Sequence, residues 1–470
     1  MANTDFLYGF ASASYQIEGA TKTDGRGPSV WDEALLGKEN GDDACDSYHK
    51  WRDDIELLKK YGATAYRFSI SWSRVIPLGG KEDPVNPEGI KYYSSLIDGL
   101  LEAGITPFVT LFHWDTPLEL AKRYRSFFAQ DADQERFLAD WERYADLCFK
   151  EFGDRVKHWI THNEPQIFTI LNAMFLEREK FDMETDRWIV GENLLLTHAR
   201  AVHCYRTRYK ERQGGVIGIT LNIEWIEPID DSEEAKAAAQ HSLDIQVGYY
   251  ADPIYLGRHN ETAKKISHGK IREFTEEEWG MIAHSSDFFG LNHYSTKWAT
   301  GKPGKENPNA FEVLFGNVEQ VTEKDGKPIG FKGHNGHPFT VPWGFNKLLH
   351  YISKTWCTVA NGGRGGETLP IYVTENGFAE QDEGEKTLEE IVNDTRRQEY
   401  YEGYIGAMGE AMKDGVIVKG YMGWSLLDNL EWSNGYAPRF GVTHVDRANG
   451  FKRTPKQSAY TIKKLVQKIL

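Results

Sequence analysis

Eight short runs rich in apolar and β-branched residues, most of them followed by a longer amphipathic stretch, narrow the choice of fold for this chain more than any other feature. The runs cover 6–16, 64–70, 106–112, 156–160, 216–221, 287–292, 371–374 and 418–424. Between them, apolar residues recur at three- and four-residue spacing over 48–60, 87–103, 134–152, 190–212 and 394–413, which predicts helices. Gly62, Gly104, Gly153 and Gly415 stand where four of these helices should stop. Strand and helix in regular alternation predict an α/β fold with a parallel sheet, and eight such strands are the number that closes a (β/α)8 TIM barrel. No shift in composition divides the chain, so a single (β/α)8 catalytic domain with long βα loops is expected over 1–470. The stretch 300–342 is rich in Gly, Pro, Lys and Asn with weak periodicity, and reads as a long insertion after the sixth strand.

Charge and cysteine usage exclude several classes of partner. A formal net charge of −15 argues against a nucleic-acid ligand, because phosphate contacts require clustered Lys and Arg. No run of apolar residues is long enough for a membrane span, and the first residues lack a basic segment followed by an apolar one, so a cytoplasmic protein is expected. Cys45, Cys148, Cys204 and Cys357 are scattered without a CxxC pair, which suggests neither a disulfide framework nor a metal site. A neutral small molecule fits this chain better, and no cofactor is implied.

In a parallel barrel the βα loops converge at the C-terminal ends of the strands, so functional residues gather on that rim. There the sequence has Gln16 end strand one, Arg67 lie on strand two, His113 and Trp114 end strand three, and Asn163 with Glu164 end strand four. Asn292 and Tyr294 end strand six, Glu375 ends strand seven, and Trp424, Glu431 and Trp432 follow from strand eight. Hydrogen-bonding groups interleaved with tryptophans suit a sugar, whose hydroxyls need directional partners while its C–H faces stack on indole rings. Glu164 and Glu375, far apart in sequence, would face each other across the mouth. Two opposed carboxyls are what cleavage of a sugar acetal needs: one protonates the leaving oxygen, and the other attacks or supports the oxocarbenium centre.

At these positions the chain resembles glycoside hydrolase family 1, the β-glucosidase family, and most of all its fungal intracellular members. The resemblance runs through Ala13-Ser14-Tyr15-Gln16-Ile17-Glu18-Gly19, Tyr66-Arg67-Phe68-Ser69-Ile70-Ser71-Trp72-Ser73-Arg74, His113-Trp114-Asp115, Asn163-Glu164-Pro165, Thr374-Glu375-Asn376-Gly377 and Trp424 to Trp432, nearly the whole chain. It implies a barrel that hydrolyses terminal β-glucosides such as cellobiose or aryl glucosides with net retention and without metal. By resemblance Glu164 is the general acid/base and Glu375 the nucleophile, held ionised by Arg67 and Tyr294. Asn163 takes the sugar 2-hydroxyl; Gln16, His113, Glu431 and Trp432 take the others; Trp424 lies beneath the ring; Trp114 and Asn292 complete the binding set. Members that cleave 6-phosphorylated sugars carry serine, lysine and tyrosine where this chain has Glu431, Pro438 and Phe440, so an unphosphorylated glycoside is implied.

Three departures surround the leaving-group side. After Asn-Glu-Pro the family usually has Trp and a glycine-rich turn; here 166–181 contains no glycine, and Ile167, Ile170, Leu171, Met174 and Phe175 fall at helical spacing. His162 replaces a usual Phe or Leu, and Arg125-Ser126-Phe127 replaces a Gly-Gly-Trp-like turn. A helix, or a differently shaped wall, in place of a flexible mouth loop is expected. The alternative reading is a diverged or altered barrel, its aglycone side remodelled around 166–181 and His162, that binds sugar or another ligand with weak or no hydrolysis.

Overall fold

The computed structural model describes residues 5–177, 179–358 and 368–470. Eight parallel strands close a barrel: β1 (Leu7–Ala11), β2 (Ala65–Ser69), β3 (Thr106–Phe112), β4 (His158–Asn163), β5 (Val216–Asn222), β6 (Phe289–Asn292), β7 (Ile371–Asn376) and β8 (Val418–Trp424). Each strand pairs with its neighbours in chain order, and β1 seals the ring against β8, from Leu7 opposite Gly420 to Ala11 opposite Trp424. The expected first strand is too long. Ala11 is the last residue paired with the second strand, opposite Arg67; beyond it the Ser14 N–H donates to the side-chain oxygen Ser69 Oγ at 2.7 Å, which draws the backbone off the sheet. Gln16 therefore rides on the short helix Ser14–Ile17 instead of a strand.

Side chains fill the barrel interior. Phe108 on β3 lies 4.9 Å from the His158 ring on β4 and 5.3 Å from Tyr372 on β7, ring centre to ring centre, a contact across strands that are not neighbours. Outside, the helix Asp131–Phe152 turns Phe137, Trp141, Tyr144, Phe149 and Phe152 inward, each fully buried. Burial of each such side chain contributes roughly 1.5–3 kcal/mol, which offsets the entropy cost of fixing the helix. The Trp141 indole donates to the Thr197 carbonyl at 2.6 Å and the Tyr144 hydroxyl to the Leu111 carbonyl at 2.6 Å, so neither polar end is stranded. Of the four glycine stops, Gly62, Gly104 and Gly415 take left-handed backbone, whereas Gly153 stays right-handed with φ −74°. Among the described residues no helix is long and apolar enough to cross a membrane.

Two strands are irregular where the chemistry sits. On β4, Trp159 packs outward on Phe149 and His162 packs outward on Trp141, its ring centre 4.6 Å away. Residues three apart on one face break the two-residue alternation of a strand, and the ladder shifts register between Ile160 and Asn163. The bulge turns Asn163 back into the barrel. A matching shift between Val373 and Glu375 re-aims β7.

The segment after β6 is not a structureless loop. Thr296–Pro303 pairs in parallel with Trp225–Pro228 and antiparallel with Val318–Val321, and Ile226 and Ala299 bury against Ala238 and Ala239 of the helix Glu233–Leu243. Its strands find partners contributed by the β5 loop, so local periodicity could not reveal them. The helix Ala310–Leu314 follows, inside the same insertion. The glycine-free segment is helical as expected over Pro165–Leu171 and continues as one π turn, Asn172–Leu176; Arg178, within that segment, lies outside the described residues.

At the other departure, Arg125 and Ser126 hold φ of 58° and 47°, a left-handed backbone that costs a residue bearing Cβ roughly 1–2 kcal/mol. Ser126 is buried in this turn. Ser126→Gly should therefore raise stability by about 1 kcal/mol, read as a later denaturant midpoint with activity kept. An unchanged or earlier midpoint would show that the turn is not strained.

Candidate active site

One cavity of about 620 Å³ opens at the C-terminal rim of the barrel. Its inner wall is formed by Gln16, His113, Glu164, Glu375, Trp424 and Glu431, with Trp114, Asn292, Tyr294 and Trp432 beside them. Arg67 and Asn163 stand behind this wall and hold it. The sequence-predicted residues are thus brought together at one place, from seven strands or the loops that follow them.

Glu375 ends β7 facing Arg67, which is fully buried. Arg67 Nη1 pairs with Glu375 Oε1, while Nη2 donates to Asn163 Oδ1 at 2.6 Å and Nε to Thr110 Oγ1 at 3.1 Å. The Tyr294 hydroxyl donates to the other Glu375 oxygen at 2.7 Å. Glu164, by contrast, accepts one hydrogen bond among the described residues, from the Asn292 amide at 2.5 Å. Thr374 Oγ1 donates to Asn292 Oδ1 at 2.7 Å, which fixes the Asn292 amide with its N–H₂ towards Glu164 and Asn163. Glu164 itself has φ 46°, a strained backbone at the first turn of the helix Pro165–Leu171. Such strain costs about 1–3 kcal/mol and aims its carboxyl.

These unequal surroundings separate the two acids. Burial pushes the Glu164 carboxyl up to about 8, and the charge of Glu375 adds to the rise. Burial raises Glu375 as well, but Arg67 and the Tyr294 hydroxyl pull it back, so Glu375 ionises first and Glu164 keeps its proton. Glu431 is pushed up to about 8, by burial first and then by Glu375.

The remaining polar groups are pre-set. Asn163 Nδ2 lies 3.0 Å from His113 Nε2; as the amide can only donate, Nε2 accepts and the proton of His113 sits on Nδ1. Nδ1 is buried and has no partner among the described residues, and burial beside Arg67 holds the ring well below its ordinary pKa, hence neutral. Gln16 spends its Nε2 on the Leu430 carbonyl at 2.7 Å and on Asn429 Oδ1 at 3.1 Å, which leaves Oε1 as an unpartnered acceptor. Trp432 packs between Trp31 and Trp114, each 4.8 Å away, and the Trp114 indole donates to the Asn163 carbonyl at 2.8 Å.

The loop after β8 is anchored from below by a buried ion cluster. Lys456 Nζ reaches Asp428 Oδ1 at 2.9 Å and also pairs with Glu383, while Arg397 binds Glu383 at 2.7 Å and Asp394 at 2.6 Å. Asp428 adjoins Asn429, so the cluster sets the bed on which Gln16 rests.

His162 is not part of the site. Its Nε2 meets Thr197 Oγ1 at 2.9 Å outside the barrel, because the β4 bulge turns it there. Sequence reasoning foresaw the 166–181 side of the outer wall but missed the rest: Asn222, Glu224, Lys297, Phe311, Phe315 and His337 also line the cavity. Glu224 and Lys297 are 2.7 Å apart, and the Lys297 ammonium lies 5.3 Å from the centre of the Phe311 ring. Only Phe311 and Phe315, four apart, left a helical trace in the sequence. Among the described residues no group of three or more His, Cys, Asp or Glu side chains is arranged to hold a metal ion.

Comparison with known proteins adds the lineage. The family model for glycosyl hydrolase family 1 matches residues 2–469. Beta-glucosidase 1B of Phanerodontia chrysosporium is 48% identical over 473 residues, 97% of this chain and 83% of that one. A GH1 beta-glucosidase from the fungus Humicola insolens, solved in complex with glucose, superposes with a TM-score of 0.91 at 42% identity, covering 99% of this chain and 98% of that one. The beta-glucosidase from Trichoderma harzianum has the same TM-score of 0.91 and identity of 42%, covering 100% of this chain and 98% of the other.

Proposed function

Because the chain belongs to glycosyl hydrolase family 1, we propose that it is a retaining β-glucosidase that removes terminal β-D-glucosyl residues from small soluble glucosides such as aryl glucosides and cellobiose. Ionised Glu375 attacks the anomeric carbon while Glu164 gives its proton to the glycosidic oxygen, so the C–O bond breaks and the aglycone leaves as an alcohol. Glu164, now a carboxylate, takes a proton from water; the water oxygen bonds to the anomeric carbon, and Glu375 is released with its electron pair. The observation that carries this reading is the inequality of the two buried acids, one held by Arg67 and Tyr294 and the other nearly bare.

Gln16 Oε1 and the His113 Nδ1–H are placed to accept from and donate to sugar hydroxyls, with Glu431 and Trp432 beside them and Trp424 under the ring. Asn163 Nδ2 has a second hydrogen beyond the one aimed at His113, and this is the donor for the 2-hydroxyl. Residues 1–470 act as one catalytic domain; a single apolar cluster running around the whole barrel supports this. Four buried free thiols support a reducing, cytoplasmic setting. No nucleic acid or membrane takes part, and no cofactor is required.

Incubation with an activated 2-deoxy-2-fluoro-β-glucoside tests the reading. The expected result is one fluoroglucosyl unit on the peptide that contains Glu375, found by mass spectrometry. A label on another residue, or no label with hydrolysis intact, would overturn it.

A further inference from the structure

Polarity changes along the length of the cavity. The inner end is ringed by hydrogen-bonding atoms, whereas at the outer end two short helices make one side apolar, opposite Asn222, Glu224, Lys297 and His337. The helix Pro165–Leu171 and its π turn present Ile167, Ile170, Leu171, Met174 and Phe175 to the cavity, the full apolar stripe. The helix Ala310–Leu314 adds Phe311 and, just beyond it, Phe315, their rings stacked at 4.3 Å and 11°. Ile170, Leu314 and Phe315 form one buried cluster, with Met174 and Phe311 packed against it.

Gln166, the one polar side chain at the start of this wall, turns away from the cavity and its Nε2 donates to the Leu314 carbonyl, tying the two helices together. Across from the wall, Glu224 and Lys297 neutralise each other at 2.7 Å, and the ammonium also rests over Phe311. The pair is uncharged as a whole, but the ammonium keeps further hydrogens and Asn222 Oδ1 has no partner among the described residues, so the polar groups of the outer end stand on the side opposite the helices.

We propose that this outer wall makes the protein select glucosides with an apolar aglycone, an aryl or short alkyl group, over glucosides whose aglycone is a second sugar. Ile170, Met174 and Phe315 determine the preference, and Gln166 positions them. A glucose ring laid against the two helices would turn the hydroxyls on that side to side chains that cannot hydrogen-bond, which forfeits their hydration without replacement. An alkyl chain or aromatic ring in the same place buries apolar surface on both partners. The inference rests on the hydrolytic reading above and specifies which substrates that site takes.

Three substrates separate the two claims. β-Glucosyl fluoride, which has almost no aglycone, reports hydrolysis alone, while hexyl β-glucoside and cellobiose report the wall. Fluoride should be turned over, and kcat/KM for hexyl glucoside should exceed that for cellobiose by about tenfold or more. Met174→Gln, which keeps the size of the side chain and adds an amide, should lower that ratio several-fold. Gln166→Leu should lower it too if the tie to Leu314 sets the wall.

Fluoride turned over with cellobiose equal to or better than hexyl glucoside would overturn the preference and leave the hydrolytic reading standing. A ratio unmoved by Met174→Gln would also overturn it. If fluoride is untouched, hydrolysis fails instead, and calorimetry still decides the preference: hexyl β-thioglucoside should bind about tenfold or more tighter than thiocellobiose, and equal binding refutes the inference.

Discussion

Replacing Glu375 by glutamine lowers kcat/KM for an aryl β-glucoside roughly a hundred-thousand-fold, the loss expected when a covalent nucleophile is removed from a site that acts as a unit. An amide is a far weaker nucleophile and carries no charge to support the oxocarbenium centre. Folding should survive the change. Arg67 keeps Asn163, Thr110 and the Thr374 carbonyl as partners, and the Tyr294 hydroxyl still has an oxygen to meet. The measurement pairs steady-state kinetics with a thermal melt, so that lost activity is not confused with lost structure. A folded variant that retained a hundredth of the wild-type rate would end the assignment.

Glu164→Gln has two large effects with different pH dependence. In the folded protein burial raises this carboxyl from 4.5 to about 8, so between those values the folded state binds more proton than the unfolded one. Wild-type stability therefore falls as pH rises from 4.5 towards 8, and the amide removes that loss. The variant should be more stable than wild type by on the order of 5 kcal/mol above pH 8, and the gain should vanish below pH 4.5. Parallel urea titrations at pH 4.5 and 8.5 check this, and an equal shift at both would show that the raised carboxyl is not its source.

Kinetically, the same variant should lose the alkaline limb near pH 8, because no proton remains to be lost there. Substrates with poor leaving groups should slow about 10²–10⁴-fold, and those with good leaving groups far less in the first step.

The barrel was legible in the chain because each strand carries a compact apolar run and most are followed by an amphipathic stretch. The rim residues were legible because the ends of parallel strands converge. What escaped was whatever depends on distant partners. The end of β1 is decided by a hydrogen bond that the chain donates to a side chain of β2, so the run 6–16 looked longer than the strand it contains. The sheet inside 300–342 is completed by Trp225–Pro228, which nothing local announces. His162 drew notice by its place next to Asn163, yet the bulge on β4 sends the two side chains to opposite sides of the barrel. Alternation alone would have put Asn163 outside; only the register shift brings it in.

The Lys456 cluster also has a consequence for how the protein is made. Asp428 and Glu383 are synthesised before their shared cation, so a nascent chain that already holds all eight strands still lacks the counter-charge for the bed under Gln16. Glu383 can meet Arg397 earlier, but until Lys456 leaves the ribosome Asp428 stays hydrated and the loop after the eighth strand lacks one of its anchors.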